Sequence, residues 1–484
     1  MKEQSIKKNI IFSTCYQILL LFTPLITTPY ISRVLGPAGN GIYSYTNSYQ
    51  LYFSMFAALG TLSYGQREIA RNRDSKYERS KLFWEIEFLT MITSGICILT
   101  WLAFSLYQTN YRICFLILTL NIFAAMFDIS WFYAGIEQFK FIVMRNSFFK
   151  ILGAILQLTL VKDSNDVALY IFILCITNLL GSISMWFALI NLIEIVPFRQ
   201  LKVLRHFKET VVYFIPAMAA SIYTVLDKTL IGLITHDESQ NGYYEQAGKV
   251  INLMKTLTFA SLNSVLESRI SYLFAEERHD EIRERILTSI DYILFMGIGM
   301  SFGLVGVAHR FVPVFFGKGY EAVIYLLYLF SPLVIIIGIS NCLGSQYYTP
   351  AGLRRQSTKY IIVGALINLS LNMVFIPRFS SMGAAAASLM AETTITFLYL
   401  KNCVNYFNPV NILKRGWKKF LAALLMLLAI SLVNRLHMEN LYVLLMQIVI
   451  GTAAYVIVLM MIKDSLIMKL FSIGRNIVKE RRSR

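Results

Sequence analysis

Four ionisable residues fall inside stretches otherwise apolar enough to cross a bilayer: Asp227, Lys228, Lys249 and Lys255. They lie between Glu209 and Glu267, a region that reads as two long apolar helices joined by the polar loop Thr235–Gly242. A charged side chain at membrane depth is costly and is retained where it faces a bundle interior or a wet cavity, so such residues mark a functional site. At about 1.5 Å of rise per residue, Asp227 and Lys228 stand roughly 27 Å from Glu209, and Lys249 stands roughly 10 Å in from the loop. That spacing predicts one layer holding all three, with Lys255 nearer the midplane. Three amines and one carboxylate make a cationic chamber. The amines can hold an anionic group as point charges, and the carboxylate can pair with a lysine or take up a proton or cation.

The elements that must position these groups follow from composition. With 484 residues, 56% of them hydrophobic, and a mean hydropathy of +0.57, the chain reads as an all-α polytopic membrane protein. Fourteen runs approach the ~20 apolar residues a spanning helix needs, at about 9–31, 42–65, 82–107, 113–135, 141–161, 167–190, 209–233, 243–268, 287–308, 322–345, 358–377, 383–402, 417–434 and 441–462. The first is long enough to span and has no small-residue cleavage pattern before it, so it is expected to be a retained helix and not a cleaved leader.

The net charge of +17 could suggest a nucleic-acid partner, but its distribution argues against one. If the spans alternate from a cytoplasmic N-terminus, 35 of the 45 basic residues fall on the inner side and seven on the outer. That asymmetry is the one expected when lysine and arginine are retained on the cytoplasmic side, and it places both termini there. The three basic residues left over are Lys228, Lys249 and Lys255. The six cysteines are scattered singly without metal-ligand spacing and read as small buried hydrophobes.

An internal repeat divides the chain. Asn47, Gln50, Ser54 and Thr61 share a stripe of the second span, followed by Arg67. Lys249, Asn252, Thr256 and Asn263 occupy a stripe of the eighth, followed by Arg269, and each pair is 202 positions apart. Pro24 and Pro216 punctuate the first and seventh spans, and Gly41-Ile-Tyr43 and Gly242-Tyr-Tyr244 open the paired helices. Each half holds six spans, an even number, so both insert in the same orientation. The expected organisation is a six-helix lobe over 1–200, a second over 205–405 related by pseudo-twofold symmetry, and helices 13 and 14 with a basic tail over 410–484. A polar stripe can equally be a helix–helix interface, an alternative that remains open for the second span.

Four motifs in order bear a family resemblance. They are Ser32-Arg-Val-Leu-Gly-Pro-Ala-Gly-Asn-Gly-Ile-Tyr43; Asp128-Ile-Ser-Trp-Phe-Tyr-Ala-Gly135 with Glu137, Lys140 and Arg145-Asn146; Asp227-Lys-Thr-Leu-Ile-Gly232 leading to Ala247-Gly-Lys249; and Asn368-Leu-Ser-Leu-Asn372 with Pro377, Gly383 and Glu392. Over nearly its whole length the chain resembles the polysaccharide-transport (Wzx-type) flippases of the MOP superfamily, relatives of the MATE exporters and the lipid II flippase. The resemblance implies a MATE-like fold and a substrate that is an oligosaccharide repeat unit on a polyprenyl diphosphate. It also implies transfer across the cytoplasmic membrane by alternating access, with H+ or Na+ coupling proposed for some members. A polysaccharide polymerase and glycosyltransferases would be its working partners.

On that reading Lys228, Lys249 and Lys255 meet the diphosphate, and Arg67 and Arg269 receive it at the cytoplasmic mouth through their planar forks. Ordinary charge anchoring also accounts for the two arginines. Asn47, Gln50, Asn252, Thr256 and Asn263 would line the cavity, and Asp227 and Glu392 are the coupling candidates. Lys249 fits equally well as an ion-pair partner of Asp227, and Glu392 as a partner of Asn368 or Asn372. Asp128 and Glu137 are expected to cap helices or pair with Lys140 and Arg145, and Asp291 to face water or the basic loop. No cofactor is expected. A MATE-like drug antiporter would want an anionic chamber for cationic drugs, and a membrane glycosyltransferase or polymerase would want acid–base residues on a large outer loop that this sequence lacks.

Overall fold

The computed structural model describes residues 6–260, 269–403, 408–434, 439–469 and 471–472. Asn263 and Glu267 lie outside them. Every regular element among the described residues is helical, and ten helical stretches, some of them two short helices in series, are long and apolar enough to cross a membrane. They form two compact units, Met1–Gly242 and Tyr243–Arg484.

The first unit contains α1 (Ile6–Ala58), α2 (Thr61–Arg71), α3 (Lys76–Tyr107), α4 (Arg112–Met126), α5 (Ser130–Gly135), α6 (Phe139–Leu160), α7 (Val167–Leu189) and α8 (Phe207–Thr235). The connection expected between the first two spans is a kink rather than a loop. α1 runs through both spans and departs from helical geometry only at Gly36, whose φ of 66° is a conformation open to glycine and strained for other residues. Pro37 follows and cannot donate the backbone hydrogen bond that a straight helix would require. The second span also ends sooner than its apolar pattern suggests. Leu59 and Gly60 both take positive φ, and a new helix, α2, starts at Thr61. Thr61 and Arg67 therefore leave the stripe of Asn47 and Gln50.

One core of this unit gathers α1, α3, α4 and α7 around Trp101, Phe115 and Ile171. A second, near the α2–α5 contact, is built on Phe83, Trp131 and Phe132. Phe83 stacks on Trp131 with ring planes 21° apart and centroids at 5.6 Å, an arrangement that favours both rings beyond their simple burial.

The helix α9 (Glu238–Lys255) crosses the unit boundary and passes into a π-helical turn at Thr256–Ala260. The second unit continues with α10 (His279–Phe315), α11 (Glu321–Phe330), α12 (Leu333–Leu343), α13 (Arg354–Asn402), α14 (Pro409–Val433) and α15 (Asn440–Met461). α13 again joins two expected spans, with a break at Ser380 (φ 51°, ψ −131°) just after Pro377. α14 and α15 pack on each other and on α10, and their shared core includes Met426, Ile430 and Tyr455. The expected last pair of helices is thus part of one body with α10.

Candidate functional site

In the first unit Asp227 is buried on α8, 2% exposed, and acts electrostatically on Tyr52 of α1. Beside it the Ser48 and Thr229 hydroxyls are 2.9 Å apart. Gln50, also buried, donates to Ser54 one turn on, while Asn47 is half-buried. Two residues of the polar stripe are therefore bonded to each other along α1, and the contact to α8 is made by Ser48 instead. Lys228, the next residue on α8, is half-buried, because successive helical positions point about 100° apart.

Glycine sets the spacing where α1 meets the start of α9. A Cβ added to Gly41 would lie 1.7 Å from the Glu238 carbonyl oxygen, and one on Gly242 would lie 2.0 Å from that of Pro37. The two glycines singled out by the repeat make reciprocal backbone contacts. Only residues without a side chain fit there.

Arg67 sits in an aromatic and acidic cage. It pairs with Glu68 at 2.9 Å, donates to the Tyr213 hydroxyl, and lies over the rings of Tyr64 and Tyr213 at 5.6 and 5.2 Å. Such contacts orient the guanidinium while leaving its outer edge partly exposed. Beneath the cage, Glu85 is fully buried and accepts from His206 Nε2 at 2.8 Å, Arg205 at 2.5 Å and the Lys202 amide at 2.8 Å. His206 Nδ1 meets the Tyr64 hydroxyl at 2.6 Å. Burial holds the His206 imidazole below its usual pKa, against the opposing pull of Glu85. This network ties the segment before α8 to α2 and α3.

In the second unit Lys249 is half-buried and forms an ion pair with Glu245 at 3.8 Å. Lys255, at the end of α9, is acted on electrostatically by Glu392 of α13. Glu392 is 5% exposed and shares its helix with a polar ladder: Asn372 donates to Asn368 at 3.1 Å, and Asn368 donates to the Ser388 hydroxyl at 3.2 Å. Tyr244 reaches Ser388 from α9. Asn252 and Thr256 are exposed, and the Thr256 hydroxyl donates to the Asn252 carbonyl at 2.8 Å. The π-helical turn that follows Lys255 is a feature often met at functional sites. Arg269 is exposed and lies over Tyr272 at 5.2 Å. Lys228 thus belongs to one unit, and Lys249, Lys255, Arg269 and Glu392 to the other.

Two other placements, those of Asp291 and Glu137, differ from those expected, and that of Asp128 agrees. Asp291 does not face water: it is 3% exposed and bonds Lys419 at 2.8 Å, and the same ammonium bonds Asp464 at 2.9 Å. Asp128 caps the Ser130 amide at 3.0 Å. Glu137 pairs with Arg73 at 2.7 Å. The Lys419 triad escaped sequence reading because its members lie 128 and 45 positions apart. An apolar groove of about 820 Å³ runs beside it, lined by Leu294, Ile339, Leu400, Trp417 and Leu421 among others.

The ten apolar helices and the buried charges define a polytopic membrane protein with internal polar sites, built on the fold shared by MOP-superfamily transporters. Residues 6–267 match the family described as "Polysaccharide biosynthesis protein", and the chain belongs to that family. The "Putative O-antigen transporter" of Escherichia coli K12 is 25% identical over 403 residues, spanning 82% of this chain and 96% of the relative. Among solved structures, "Lipid II flippase MurJ, inward closed conformation" superposes with a TM-score of 0.71 at 16% identity, covering 95% of this chain and 99% of that one. An inward-facing multidrug resistance MATE family transporter of the MOP superfamily gives a TM-score of 0.60 at 10% identity, covering 87% and 99%. These structural likenesses establish the fold.

Proposed function

We propose that the protein is a flippase that carries polyprenyl-diphosphate-linked oligosaccharide repeat units across the cytoplasmic membrane by alternating access, for assembly of a cell-surface polysaccharide. The observation that carries this reading is the half-buried placement of Lys228 on α8 and of Lys249 and Lys255 on α9, in a chain of this family that has ten candidate membrane spans. A diphosphate cannot leave water without compensating charge, and the ammonium groups supply it. Arg67 and Arg269 receive the headgroup on the basic side. Asn47, Gln50, Asn252, Thr256 and Asn263 offer hydrogen bonds to phosphate or sugar. The apolar groove beside α14 offers a surface for the polyprenyl chain.

Asp227 and Glu392 serve as coupling groups that bind H+ or Na+ when the diphosphate occupies the lysines. Each occupant favours the conformation it binds better, which is what drives alternation. The O-antigen transporter relative and the lipid II flippase fold support this substrate class, whereas cationic drugs would be repelled by the lysines. No bond in the substrate is made or broken on this account, and both termini lie in the cytoplasm. A polymerase and glycosyltransferases are the partners such a substrate requires.

Deletion of the gene followed by analysis of membrane lipids tests the reading. Repeat-unit lipid should accumulate on the inner leaflet, and surface polysaccharide should fall. The wild-type gene should restore export, while Lys249→Gln and Lys255→Gln at equal membrane levels should not. Normal surface polysaccharide in the deletion strain, with no trapped lipid, would refute it.

A further inference from the structure

Glu87, on α3, has no part in the account above. It is 0% exposed, and among the described residues neither carboxylate oxygen has a hydrogen-bond partner. Glu85, two residues earlier and equally buried, shows the contrast, since it is fully engaged by His206, Arg205 and the Lys202 amide. The charge that acts on Glu87 has the same sign: Asp128, from the turn between α4 and α5. Around them, Arg145 of α6 acts on Asp128, with Tyr16 of α1 and Tyr133 of α5 beside it. Two donors in this neighbourhood are also buried without acceptors, Trp131 Nε1 and Arg145 Nε. Phe83, one helical turn before Glu87, stacks on Trp131 and fixes α5 against this face of α3.

An ionised carboxylate with no donor and a like charge nearby is not held in a protein interior. The group must carry a cation. A metal ion would want several oxygen ligands. Among the described residues no three His, Cys, Asp or Glu side chains gather to hold one, and one Asp128 oxygen is already committed to the Ser130 amide. Unsatisfied buried polar atoms mark places where ordered water sits, and water is what a proton needs to arrive and leave.

We propose that Glu87 is a proton-binding site of the first unit: it holds a proton in the arrangement described here and exchanges it with water during the transport cycle. On release the carboxyl O–H bond breaks, its electron pair stays on the carboxylate, and the proton passes to water; reburial reverses the step. The role in transport rests on the flippase reading. The protonation itself does not.

Infrared spectroscopy of the full-length protein in lipid nanodiscs tests this. The expected result is a protonated-carboxyl carbonyl band at neutral pH that shifts in D2O and is lost in Glu87→Gln. Survival of every such band in that variant overturns the proposal. Should Glu87→Gln fail to fold, Asp128→Asn provides the second measurement: the pH at which the band disappears should move, and an unmoved titration overturns the proposal. Replacing choline chloride with sodium chloride should leave the band in place; its loss would show a metal ion displacing the proton and overturn the assignment. In proteoliposomes, a pH gradient should accelerate flipping by the wild type and not by Glu87→Gln, and equal acceleration counts against the site. Absence of any flipping by the wild type would remove the transport reading while the infrared band still reports on Glu87.

Discussion

Lys419→Met should be among the most destabilising single changes in the second unit. The Lys419 ammonium is fully buried between Asp291 and Asp464, at 2.8 and 2.9 Å, and it also donates to the Arg415 carbonyl at 3.2 Å. Methionine fills a similar volume but leaves two carboxylates facing each other. Asp464 keeps the Leu466 and Ile467 amides at 3.1 and 3.4 Å through its other oxygen, and Asp291 keeps only a long contact to Arg415 at 3.9 Å. Removing one partner of a buried pair costs about 3–5 kcal/mol. For a body of this size that corresponds to a fall of roughly 6–20 °C in melting temperature. Thermal unfolding of the purified protein, followed by loss of the monodisperse chromatographic peak, measures it. The triple variant Asp291→Asn/Lys419→Met/Asp464→Asn removes the charges together and should recover most of the loss, since uncharged replacements of buried ion pairs are often neutral. A Lys419→Met protein that melts with the wild type, or a triple variant no better than the single one, would refute this account of how α14 and α15 are fastened to α10.

Gly41→Ala and Gly242→Ala should each lower stability by about 1–3 kcal/mol, because the new methyl would overlap a backbone carbonyl. Their double variant should cost less than the sum, since both act on one helix crossing; Gly95→Ala, where a Cβ meets nothing within 4 Å, is the control and should be neutral or slightly stabilising in thermal melts. His206 contributes to pH dependence with a definite sign. Burial holds its folded pKa below the ordinary imidazole value of about 6.5, so the unfolded chain binds its proton first on acidification. The stability it contributes is present above that value and is lost as pH falls towards the folded pKa. Melting curves of His206→Gln should therefore fall less steeply than wild type on acidification below about pH 6.5, and parallel curves would contradict the neutral Glu85–His206–Tyr64 arrangement.

Much of the helical architecture was legible because most spans are long apolar runs. The kinks were less so. Gly36-Pro37 carries a recognisable signal for a break, but Ser380 looks like any polar residue between two spans. Leu59 gives no warning of its left-handed conformation.

At the candidate site, sequence singles out Asp227, Lys228, Lys249 and Lys255 because charge inside apolar sequence is conspicuous. It does not show which face of α8 turns inward, so the burial of Asp227 against α1 emerges only from packing. The cage around Arg67 depends on Tyr213, 146 positions away. Glu85 and Glu87 did leave a trace, as two acids in Trp84-Glu-Ile-Glu-Phe88 at the head of an apolar run. Their different fates, one fully bonded and the other bare, are set by the segment before α8 and by the turn at Asp128.

The central claim is that this chain moves a lipid diphosphate, with its intramembrane amines as the compensating charge. Reconstitution with a labelled polyprenyl-diphosphate oligosaccharide, read by the fraction of label reachable from outside the vesicle, tests it most directly. Wild-type protein should expose label trapped inside far faster than protein-free vesicles, and the Lys228→Gln/Lys249→Gln/Lys255→Gln variant should not. Equal rates for the variant and the wild type, or no acceleration by either, would contradict it.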